Sequence, residues 1–136
     1  MYTCLFKKVT VHNSAKINKL ACNRANQCIG IGGSEGFVKV VKIDLVSNKT
    51  DNTGKANPLT FSQNLVQHKK KVLNLVWNDL YEKLTTSDEE GIIIVWKFEN
   101  NVWSVEMVNN RELSFVTDIK WSKQGIYLCF VYFYFN

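Results

Sequence analysis

Slid along itself by 55 positions, the chain meets its own pattern, and that limits its fold more than any bulk property does. CNRANQCIGIGGSEGFVKVVKID, from Cys22, falls over WNDLYEKLTTSDEEGIIIVWKFE, from Trp77, so that Asn23 meets Asn78, Gly36 meets Gly91, Val40 meets Val95 and Lys42 meets Lys97. A further shift of 44 lays Trp121 on Trp77, with VTDIKWSKQGIYLCFVY beneath VLNLVWNDLYEKLTTSD. A recurring offset of this size means copies of one supersecondary unit, stacked because a single copy cannot bury its apolar face alone. Three copies are read here, the third incomplete.

The unit itself reads as β. Apolar or alternating segments at 5–11, 17–22, 28–31, 37–43, 59–66, 72–77, 83–86, 92–98, 102–108, 115–121 and 126–132 are separated by turn residues, and VLNLVW and VTDIKW alternate at the strand period. The branched and aromatic side chains suit a pleated surface, only one proline interrupts them, and 46% hydrophobic content argues against disorder. Residues 46–58, VSNKTDNTGKANP, read as a long surface loop. Four strands in about 45 to 55 residues is the pattern of a propeller blade. The fold class expected is therefore all-β, a β-propeller fragment of about two and a half four-stranded blades. Blade 1 covers about residues 12–67, blade 2 about 68–110 and a partial blade 3 about 112–132, with an atypical end at 133–136.

With His68 ahead of the first strand of the second copy and Trp96 closing its third, the sequence resembles the WD-repeat family. The resemblance implies a buried hydrogen-bonded network in that blade, with His68, Thr86 or Ser87, Asp88 or Glu90, and Trp96 as its members, and Gly36 and Gly91 as turn residues. Blade 1 has Asn13 in the histidine region and Val41 at the tryptophan position, so no such network is expected there. Residues 81–111, YEKLTTSDEEGIIIVWKFENNVWSVEMVNNR, together with KKVTVHN and WSKQGIYLCFVY, resemble the WD repeat-containing protein 35 family. A tubby-like WD-repeat adaptor shares much of the central motif. The first resemblance implies a subunit of intraflagellar transport complex A, acting in retrograde ciliary transport and ciliary entry of membrane proteins. Its partners would be other subunits and cargo, and its place the cytoplasm and cilium. In the third copy the turn glycine falls at Phe135 and the acid near Tyr134, so the end FYFN, residues 133–136, is expected to be other than family sequence, as at a truncated or misread gene end. Residues 5–11 would supply an outer strand to the last blade of a longer relative.

The glycine-rich stretch CIGIGGSEG invites a phosphate-binding reading, which fails on spacing. G-x-G-x-x-G started at Gly30 ends on Glu35, and Gly36 leads into FVKVVKI, a strand and not a helix. Catalysis has little to rest on, since Asp88, Glu89 and Glu90 are neighbours in a turn and no Ser is set with a His and an acid. No enzyme activity and no cofactor are expected. The cysteines form no C-x-x-C pair, so metal binding is not expected, and reduced, mostly buried thiols in a cytosolic protein are the simplest reading. MYTCLFKK does not read as a secretory signal, and the longest apolar run, 126–135, is about half of what a membrane-spanning helix needs. The formal charge of +5 and the run Lys69, Lys70, Lys71 suggest a loop that meets an acidic protein surface, anionic lipid or RNA. Trp77, Trp96 and Trp121 fit blade interiors, while Trp103, on an outer strand, is a candidate partner contact or a rim filler.

Overall fold

The computed structural model describes residue 11, residues 15–44, residue 54, and residues 59–110 and 114–134. Among the described residues ten strands carry the fold: β1 (Ile17–Asn23), β2 (Cys28–Gly33), β3 (Val38–Ile43), β4 (Leu59–Asn64), β5 (Val72–Asn78), β6 (Lys83–Asp88), β7 (Ile92–Glu99), β8 (Val102–Asn110), β9 (Ser114–Trp121) and β10 (Leu128–Tyr134). They form two four-stranded antiparallel sheets, β1-β2-β3-β4 and β5-β6-β7-β8, and a two-stranded sheet of β9 and β10. The chain is thus all-β, built from the strand-turn-strand unit that the repeat implies.

The two complete sheets match in local detail. The first hairpin of each turns on an asparagine: Asn23 Oδ1 accepts the Asn26 N–H, and Asn78 Oδ1 accepts those of Leu80 and Tyr81. Such a side chain mimics a backbone turn, and the hairpin ends in the left-handed region at Gln27 (φ 56°) and Glu82 (φ 50°). The register slips between Ile17 and Lys19 in one sheet and between Val72 and Asn74 in the other, positions the repeat superimposes. Ser34 N–H donates to the Lys16 carbonyl at 2.9 Å, and Glu89 N–H to that of Lys71 at 3.0 Å.

The core runs across the seam between the two complete sheets, joining Cys28, Val38 and Val40 to Leu75, Leu84, Ile94 and Trp96. Glycine makes this approach feasible, because a Cβ on Gly30 would lie 2.7 Å from Leu75 Cδ2 and one on Gly32 2.9 Å from Val72 Cγ1. A smaller cluster of Ile93, Val116 and Ile119 joins the second sheet to β9.

Three readings change. The last strand begins at Leu128 and runs through Tyr134, because residues 125–127 belong to its turn: Ser122 N–H donates to the Tyr127 carbonyl at 2.8 Å, and Gly125 has φ 69°. Among the described residues the thiols are not mostly buried, since Cys28 is buried but Cys22 and Cys129 are exposed on their strands. Trp103 is buried and does not face solvent as a partner contact would. The strand expected at 5–11 (all but Val11), Asn13, the loop at 46–58 (all but Gly54) and Phe135 lie outside the described residues.

Candidate functional site

A buried ladder of hydrogen bonds links four side chains of the second sheet. His68 Nδ1 lies 2.7 Å from Asp88 Oδ2, His68 Nε2 lies 2.8 Å from Thr86 Oγ1, and Trp96 Nε1–H donates to the same hydroxyl at 2.8 Å. Asp88 Oδ1 accepts the backbone N–H groups of Glu90 and Ile92 at 3.1 and 3.0 Å. A carboxylate only accepts and an indole only donates, so a proton on Nδ1 lets every member be satisfied: Trp96 to Thr86, Thr86 to Nε2, Nδ1 to Asp88. All four side chains are buried. Of the two pairs of alternatives, Thr86 and Asp88 enter the ladder. Ser87 turns to the opposite side of β6 and accepts from Asn74 Nδ2 at 3.0 Å, and Glu90 contributes only its backbone. Blade 1 has Ile31, Gly33 and Val41 at the superimposed positions, an apolar substitute with nothing for a histidine to bond.

Gly91 opens the turn into β7 at φ 86°, and its N–H donates to the Asp88 carbonyl at 3.2 Å. Gly36 does more, for at φ 74° its Cα sits so close to the second sheet's entry loop that a Cβ would fall 2.0 Å from the His68 carbonyl oxygen. The turn of one blade thereby packs on the histidine of the next.

Lys69, Lys70 and Lys71 are exposed beside that contact. They are not a free cationic patch. Lys70 Nζ stands 3.7 Å from Glu90 Oε1, Glu89 is hydrogen-bonded through its backbone to Lys71, and Glu35 precedes the glycine that touches His68 and Lys69. Three lysines and three carboxylates share this end of the molecule.

Trp103 departs from the contact reading. It is 6% exposed, its ring packs edge-on against Trp77 at 5.5 Å, and its backbone N–H and carbonyl both bond the Gln63 side-chain amide at 2.8 Å. An outer strand is covered on one face by the adjoining blade, and Trp103 points into that cover. Sequence reading also missed a cleft of about 680 Å³ beside this contact, where Cys28, Lys42 and Phe61 of the first sheet face Glu82, Phe98 and Asn101 of the second. Burial pushes the Cys28 thiol above its ordinary value, with Lys42 lowering it and Glu82 raising it by lesser amounts. Among the described residues no group of His, Cys, Asp and Glu could hold a metal ion, and no helix is long and apolar enough to cross a membrane.

The family model described as "WDR35/TULP4 N-terminal", a β-propeller, matches residues 1–134. WD repeat-containing protein 35 of Rattus norvegicus and of Homo sapiens are each 37% identical to this chain over 134 residues, which is 97% of it. Tubby-related protein 4 of Homo sapiens is 33% identical over 125 residues, 90% of the chain. The chain spans only 12% of the length of the rat relative and 8% of that of the tubby-related protein.

Proposed function

Because the chain belongs to the WDR35/TULP4 N-terminal β-propeller family, we propose that this WD-repeat scaffold is a non-catalytic part of intraflagellar transport complex A. In this reading it acts in the cytoplasm and cilium, supporting retrograde transport and ciliary entry of membrane proteins by holding loop surfaces rigid for other subunits and cargo. What supports the reading best is 37% identity to WD repeat-containing protein 35 across 97% of the chain, against 33% across 90% for the tubby-related protein. The buried ladder fits such a role, since it fixes the loop that carries Lys69 to Lys71 without offering a group to solvent.

The mixed charge around those lysines favours a protein partner over anionic lipid or RNA. A polyanion would have to displace or sit beside Glu35, Glu89 and Glu90, whereas a protein surface can match both signs. Co-purification of the tagged endogenous protein from ciliated cells tests the proposal. Other complex A subunits should accompany it, and their absence would overturn the ciliary reading. Binding to anionic vesicles or RNA that falls steeply with salt would instead favour the basic-face alternative.

A further inference from the structure

The seam between the first two sheets closes along most of its length, through Gly30 and Gly32 under Leu75 and Val72, Trp77 Nε1–H on the Ala21 carbonyl at 2.9 Å, and the Gln63 amide on Trp103. It opens at the 680 Å³ cleft, a volume within the range of about 300 to 1,000 Å³ usual for ligand sites. Comparison with the next seam shows what is missing there. Asn78 Nδ2 crosses to the Gly125 carbonyl at 2.8 Å and ties the second sheet to the third. Its repeat partner, Asn23, is 1% exposed and its Nδ2 has no acceptor among the described residues. Asn23 pairs with Cys28 across β1 and β2, which places both side chains on the face that meets the cleft.

The walls of the cleft are aromatic and its lips are charged. Phe61 and Phe98 meet edge-to-face at 5.6 Å and both remain partly accessible. Lys42 stands on the first sheet and Glu82 on the second, both exposed, and neither makes an ion pair among the described residues. By contrast Lys97, the repeat partner of Lys42, is held by Glu99 at 2.7 Å and Lys83, beside Glu82, by Glu106 at 2.7 Å. Asn26, Gln27, Thr60 and Asn101 line the cleft beside the aromatic rings, and Asp44, at the lip with Lys42, is already engaged. A partly aromatic trough whose Lys42 and Glu82 are left without an ion pair among the described residues complements a segment with the reverse arrangement. A uniformly charged chain would be repelled at one lip.

We propose that this cleft is a docking site for an extended peptide of a partner protein, one with an apolar or aromatic side chain between an acidic residue, which meets Lys42, and a basic residue, which meets Glu82. The site deepens the scaffold reading above, but its test does not depend on the ciliary assignment. A random peptide-display library is panned on the full chain and on the double reversal Lys42→Glu/Glu82→Lys, whose changes fall on exposed side chains. The unaltered chain should enrich sequences of the acid, apolar, base type, and the double reversal the opposite charge order. A fluorescein-labelled peptide made to the first consensus should bind each single reversal about tenfold more weakly.

No enriched consensus, or one that the reversal leaves unchanged, overturns the proposal. So does self-association of the chain that either single reversal abolishes, which would assign the cleft to a second copy. A failed peptide selection with intact co-purification of transport subunits would remove the cleft and leave the ciliary reading standing.

Discussion

At the scale of single residues the ladder shows how unequal four bonded neighbours can be. Asp88→Ala strands three donors at once, the His68 ring N–H and the backbone N–H groups of Glu90 and Ile92, inside a buried site. It should cost about 4 kcal/mol of stability, in the range for breaking a buried, charge-assisted group. Trp96→Phe keeps an aromatic ring but removes one donor from a hydroxyl that still has His68 and leaves a cavity in the core, so about 2 kcal/mol is expected. Ser87→Ala leaves Asn74 its second acceptor, the Val116 carbonyl at 2.7 Å, and should cost about 1 kcal/mol. Urea unfolding of the three variants checks the order, and an Asp88→Ala chain no weaker than Ser87→Ala would mean the ladder does not hold the blade. The types of these residues were legible through the likeness to WD repeats, but the choice of Thr86 over Ser87 was not. Adjacent strand residues face opposite sides, and which side meets His68 depends on a register the sequence does not print.

At the scale of elements, the run that looked like a phosphate loop divides into two jobs. Gly30 and Gly32 are strand residues cut back to seat the next sheet, and Gly36 is a turn residue pressed on a neighbouring carbonyl. The repeat comparison identified Gly36 by laying it on Gly91, whereas the contacts of Gly30 and Gly32 come from the partner sheet and leave no mark in their own segment. Gly36→Ala and Gly54→Ala make a controlled pair, because both have positive φ, 74° and 77°, yet among the described residues a Cβ at Gly54 would meet nothing within 4 Å. Each pays about 1 to 2 kcal/mol for a left-handed alanine. Only Gly36→Ala must also push back the His68 backbone. The Gly36→Ala chain should therefore melt well below Gly54→Ala in a thermal scan, and equal melting points would show that the close approach relaxes freely. Trp103 carries the same lesson from the outside, for its outer strand is legible and the choice between partner contact and rim filler is not, since the cover comes from Gln63 and Trp77 of other strands.

At the scale of the molecule, the copies are held together by unlike seams, and cohesion should grade along the chain. The first seam carries the large cluster, the Trp77 and Trp103 rings and the Gln63 clamp. The second relies on a cluster of Ile93, Val116 and Ile119 and on side-chain bonds: Asn74 to the Val116 carbonyl, Asn78 to the Gly125 carbonyl, and Trp121 Nε1–H to Thr85 Oγ1 at 3.0 Å. That the copies stack was readable from the repeat, but the strength of each seam was not, because it depends on a few side chains reaching across it. Local opening follows the density of buried contacts, so amide exchange should be slowest in β6, whose last five residues are buried and which is paired on both edges. It should be fastest among the strands in β10, where Val131 and Phe133 are 60% and 61% exposed and only β9 is a partner among the described residues. Asn78→Ala removes the cross-seam bond and leaves the Leu80 and Tyr81 N–H groups without their acceptor. It should speed exchange in β9 and β10 severalfold while β2 and β3 hold their rates. Gln63→Ala, which releases the Trp103 backbone, should act on β4 and β8 instead. If either variant raised exchange evenly over all strands, the chain would open as one cooperative unit, and the unequal seams would have no dynamic meaning.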